Sequence, residues 1–135
     1  MLNFGIFVFS LIVNINSLNL NFPQIGNSYI NKFNIPLIGY QKITAEIVTN
    51  NTVNLEFDGL IKEKGYCRYR IFNNKLFISV NSNLKKKLNK FNTDFGLPEY
   101  NKEEDELKFK IYIKKLRFEK QLILKRYKKC NYKTV

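Results

Sequence analysis

No histidine occurs in the chain, so the commonest general base and metal ligand is missing, and neither a Ser-His nor a Cys-His nucleophile pair can be assembled. Carboxylates remain. Glu56 and Asp58 share one face of an alternating run, a spacing that suits an acid–base pair. That face is the polar one, however, the ordinary setting of solvated surface acids. Glu103, Glu104, Asp105 and Glu106 form an acidic run that lacks the alternating ligand spacing of a calcium loop; offsetting nearby lysines is its simplest role. Cys67 and Cys130 are the only cysteines, and two thiols without histidine cannot build a structural zinc site. In an oxidising compartment they can pair and close a loop of roughly 60 residues, worth about 4 kcal/mol on the chain-entropy account. In a reducing one they are two unrelated thiols. These residue types predict no catalytic residues, no metal, no cofactor and no enzyme.

Charge points to partners instead. The net charge is +12, and it is uneven. Residues 1–61 hold Lys32 and Lys42 against Glu46, Glu56 and Asp58, whereas residues 107–135 hold 11 basic side chains against Glu119 alone. A basic end of this kind attracts anionic surfaces such as lipid head groups, acidic polymers or nucleic acid. The candidate contact charges are Lys108, Lys110 and Lys114 on one alternating run and Arg68 and Arg70 on another, with Tyr112 and Tyr66 among them. Exposed aromatics beside cations can also stack bases, so nucleic acid is the alternative partner. The plain counter-reading is a solvated polar face, because Lys dominates and only four residues are Arg.

Phe4 to Val13 is an uncharged apolar run interrupted afterwards by Asn14 and Asn16. It is too short for a spanning helix, which needs about 20 residues, and its length suits the core of a signal peptide over residues 1–17, with cleavage near Ser17. No Lys or Arg precedes it, and Ile15 sits where a small residue is preferred. The expectation is a protein of the secretory pathway, extracellular or membrane-associated; without cleavage of the leader it is a cytosolic or virion protein. Asn50-Asn51-Thr52 is the single glycosylation triplet, with Asn50 as acceptor.

The elements that must position these residues follow from the apolar period. Residues 18–41, broken by Pro23, Gly26, Pro36 and Gly39, read as an irregular lead-in. Period-two alternation then dominates residues 42–127. Ile43, Ala45 and Ile47 pair through an Asn50-Asn51 turn with Val53, Leu55 and Phe57. Gly65 closes the next turn; Cys67, Tyr69 and Ile71 follow, and Asn73-Asn74 turn the chain into Leu76, Ile78 and Val80. Leu84, Leu88 and Phe91 are spaced for a short amphipathic helix capped by Ser82 or Asn83. Residues 92–105 read as a loop. Alternation returns at Leu107, Phe109, Ile111 and Ile113, and its phase flips after Lys115, where Leu116, Phe118, Leu122 and Leu124 share a face. With no Gly, Asn or Pro there, a bulge in one long strand is preferred over a turn. Residues 128–135 are a basic tail.

The sequence thus predicts a mainly β domain: an antiparallel six-stranded meander curled into a small barrel or half-barrel, with the helix between strands four and five. Its inner face carries Ile43, Ile47, Leu55, Phe57, Tyr69, Ile71, Ile78, Phe109, Ile111 and Phe118. Side chains fill a barrel of six strands; about eight can leave room for one ligand. A leader, a meander barrel and a late helix resemble the lipocalin type, although the G-x-W signature is absent and Gly39-Tyr40 is the nearest substitute. The resemblance implies a carrier of a small apolar ligand. The leading expectation is a non-enzymatic binding or structural protein whose basic C-terminal half meets an anionic or lipidic partner, with nucleic-acid binding and apolar-ligand carriage as alternatives.

Overall fold

The computed structural model describes residues 22–127. The expected leader, Cys130 and the basic tail lie outside the described residues. Nine strands run in chain order: β1 (Ser28–Ile35), β2 (Gly39–Ile47), β3 (Thr52–Gly59), β4 (Glu63–Phe72), β5 (Lys75–Ser79), β6 (Thr93–Phe95), β7 (Glu99–Asn101), β8 (Glu106–Ile113) and β9 (Phe118–Arg126), with one helix, α1 (Ser82–Lys90), between β5 and β6. Each neighbour pair is antiparallel, and β9 returns to pair with β1, so the sheet closes. Both β6 and β7 pair with β8, at its two ends, and act as one strand interrupted at Gly96–Pro98. The wall is therefore an eight-stranded antiparallel barrel.

Closure explains the burial. Ile43, Ala45 and Ile47 on β2 and Val53, Leu55 and Phe57 on β3 are all buried, while Glu46 and Glu56 between them are exposed. One face of every strand is thus hidden and no long edge is left open. The β1–β9 seam has only two ladder pairs, Tyr29–Arg126 and Ile30–Lys125. Side chains lengthen it. Asn31 Nδ2 donates to the Ile123 carbonyl at 2.8 Å, and the Phe33 and Phe118 rings stack at 5.9 Å. Near its end, the Tyr29 and Tyr100 hydroxyls both donate to Asp105 Oδ1, at 2.7 and 2.8 Å, and Arg126 lies 3.2 Å from Asp105 Oδ2.

Four expectations are corrected. The irregular lead-in contains β1 and the start of β2: Tyr29, Phe33 and Ile35 alternate with exposed Lys32 and Asn34, a strand pattern masked by the flanking Pro and Gly. The loop 92–105 contains β6 and β7, three residues each, too short to show a period. The phase flip after Lys115 is a turn rather than a bulge; a single 3-10 turn over Lys114–Leu116 ends on Arg117 in the left-handed region, φ 52°, and pairs Ile113 with Phe118. Arg117 fills a left-handed conformation that Gly or Asn more often takes. Finally, Gly65 is not in a turn. It lies inside β4 opposite Leu55, and the turn is made by Gly59 at φ +145°, where a side chain would strike the Tyr40 carbonyl. The buried Gln41 side chain pins that turn by accepting from Ile61 N–H at 2.8 Å and donating to Ile61 C=O at 3.0 Å.

Candidate functional site

The barrel is not filled by its own side chains. A cavity of about 540 Å³ occupies one part of it, within the span of small-molecule sites, ~300–1,000 Å³. Ile43 and Ala45 of β2 and Val53 and Leu55 of β3 form one wall. Leu107, Phe109 and Leu124, from β8 and β9, form the other. The small side chain of Ala45, opposite Leu55, contributes space where its neighbours carry bulk.

Helix α1 forms a third wall with Leu84 and Leu88. Its cap is Asn81 rather than Ser82 or Asn83: Asn81 Oδ1 accepts from Leu84 N–H at 2.8 Å. The same amide donates to the Tyr66 carbonyl at 3.4 Å and sits where a side chain on Gly65 would stand. A glycine on the inner face of β4 thus seats the helix cap against the sheet. The sequence signal, an Asn three residues before the first buried Leu, was present.

The exposed members of the cavity lining, Ser79, Lys85, Asn89, Asp94 and Leu97, mark its open side, beside a thin join of the barrel wall. β5 meets β7 at one ladder pair, Lys75–Glu99, supplemented by Leu76 N–H on the Pro98 carbonyl at 2.8 Å. Beyond Leu76, β5 pairs only with β4. Ser79, Val80, Lys85, Asn89, Asp94 and Leu97 line this side. Thr93 also lines the cavity; it is 6% exposed and its hydroxyl has no hydrogen-bond partner among the described residues.

The predicted contact charges fall on two separate parts of the wall, with β5 and β7 between them. On β8 and in the 3-10 turn after it, each of the three predicted lysines has a carboxylate nearby. Lys108 lies 3.8 Å from Glu106, Lys110 lies 3.8 Å from Glu119, and Lys114 lies 2.7 Å from Asp94. Asp94 holds the Lys114 ammonium above its ordinary pKa. Arg68 and Arg70 on β4 are exposed and face outward. Glu56 and Asp58 lie opposite Lys64 and Lys42 on the outer face, away from the cavity. In the acidic run, Asp105 ties the barrel seam, and Glu106 is buried beside Lys108. Asn50 is exposed in the β2–β3 loop, where the Asn51 side chain accepts from the hydroxyls of Thr49 and Thr52. Cys67 is buried on the inner face of β4, and its expected partner Cys130 is outside the described residues. Among the described residues no three acidic or cysteine side chains converge as a metal site.

No family model, curated protein or solved structure matches the chain.

Proposed function

We propose that this protein is a non-enzymatic carrier or receptor that holds one small, largely apolar ligand inside its barrel. The observation that carries the reading is the cavity of about 540 Å³ walled by Ile43, Ala45, Val53, Leu55, Leu84 and Leu107. A closed barrel of about eight strands can leave room for one small ligand. At ~30 Å³ per small atom group the space takes on the order of 15–20 non-hydrogen atoms. The absence of histidine and of a nucleophile–base pair supports binding without turnover.

Fluorescence titration with 1-anilinonaphthalene-8-sulfonate, followed by displacement with a medium-chain fatty acid, tests the reading. Saturation at one probe per chain is expected, with the fatty acid competing. Ala45→Phe places a ring in the cavity and should abolish uptake; Ala45→Leu, a milder overpacking, should weaken it. A parent chain that takes up no probe, or an Ala45→Phe variant that folds and binds as the parent does, overturns the proposal.

A further inference from the structure

The outer face of β4 and β5 adjoins the cavity opening. A shallow groove of about 410 Å³ on that face, lined in part by Arg68, Arg70 and Phe77, shares Ile78, Ser79 and Leu97 with the cavity. Lys64, Arg68 and Arg70 of β4 and Lys75 of β5 point outward, and neither strand sends a carboxylate out with them. Register decides which of these charges stay unopposed. Glu56 lies opposite Lys64, and Glu99 lies opposite Lys75. Arg68 instead faces Thr52 and Ser79, and Arg70 faces Phe77. Lys108, Lys110 and Lys114, by contrast, each have a carboxylate within 4 Å. Around the two arginines stand apolar groups that the fold leaves in water: Tyr66 is 66% exposed, Phe72 67%, Phe77 39% and Leu97 48%.

We infer that this face seats on an anionic lipid leaflet, with Arg68 and Arg70 on head groups and Phe72, Phe77 and Leu97 in the interfacial layer. Each cation near an anionic leaflet raises affinity several-fold, and exposed apolar side chains among them add burial in the acyl boundary. A single nucleic-acid strand would also accept arginines beside aromatic rings. Position favours lipid. The apolar rim of the face, Leu97 and Ile78, is continuous with an apolar cavity, so a ligand leaving the bilayer would pass into the barrel without crossing water. Docking stands on the surface alone; the loading route rests on the ligand-binding reading above.

Sedimentation of the chain with vesicles of phosphatidylcholine, and of phosphatidylcholine mixed with phosphatidylglycerol, tests the inference at low and physiological salt. Binding to the mixed vesicles alone is expected, weakening as salt rises. Arg68→Gln with Arg70→Gln should lower affinity by roughly tenfold or more, and Phe72→Ser with Phe77→Ser should lower it further. Failure to bind the mixed vesicles overturns the inference. So does an arginine pair variant that binds like the parent, or a larger loss from Lys108→Gln, Lys110→Gln and Lys114→Gln together. A single-stranded oligonucleotide that binds through Arg68 and Arg70 and displaces the vesicles also overturns it, and assigns the face to nucleic acid. Probe uptake without vesicles separates the two proposals. Uptake with no vesicle binding overturns docking alone, whereas vesicle binding with no uptake overturns the cavity reading and leaves docking standing.

Discussion

Asp105 joins three parts of the wall through one carboxylate. Its oxygens accept from Tyr29 on β1 and Tyr100 on β7 and face Arg126 on β9, and its own backbone is left-handed at φ 52°. Asp105→Ala leaves two partly buried hydroxyls without an acceptor and is expected to destabilise the fold by about 2–3 kcal/mol in urea unfolding. Asp105→Asn keeps an acceptor and a residue that tolerates the backbone, so its cost should be smaller. The same cluster has a pH signature. Burial and then the hydrogen bond to Asp105 push Tyr100 from 10.0 up to about 12, and burial raises Tyr29 further. Both groups hold their protons longer when folded than when unfolded. Their contribution is therefore fully present below pH 10; that of Tyr100 is lost as pH rises through about 12, and that of Tyr29 is lost at still higher pH. Thermal melts should show a fall over that window, and Asp105→Ala should make it shallower. Equal melting temperatures below and above the window would contradict this account of the seam.

At the scale of elements, α1 is held by a contact between a cap and a glycine. Asn81→Ala is expected to cost about 1 kcal/mol. Gly65→Ala should cost at least as much, because its methyl displaces the Asn81 amide. If Gly65→Ala unfolds at the same urea concentration as the parent, the packing of cap on strand is wrong. The strands β2 to β5, β8 and β9 were legible because each alternates over at least four residues against a polar face, and Asn73-Asn74 announced their turn by tolerating φ of 50° and 64°. Gly65 reads as a turn in the sequence because glycine signals both tight turns and close approach, and one chain does not say which. β6 and β7 were illegible because three residues carry no period; their identity comes from pairing with β8, which β6 reaches across the intervening β7 and β7 reaches through a short hairpin. Arg68 and Arg70 were legible as outward charges, but their lack of opposing carboxylates depends on register, which a sequence does not state.

At the scale of the molecule, one change in strand count alters what the barrel can do. Six strands would have closed on a solid core; β1 and the β6–β7 strand bring the wall to eight and leave space behind Ala45. The interior is apolar, the outer surface of β8 is charge-paired, and the face beside the opening is basic and aromatic. Each of these follows from where the meander places alternating residues. Whether the barrel interior takes up a ligand is read by a methyl-resolved NMR titration of the chain with a medium-chain fatty acid. Saturable shifts are expected, confined to the methyls of Ile43, Ala45, Val53, Leu55, Leu84 and Leu107, which wall the cavity. Ile35 and Ile113, buried elsewhere in the barrel and outside the cavity wall, should stay in place. No shifts, or shifts only at exposed residues such as Leu37 and Ile38, would contradict ligand uptake in the barrel.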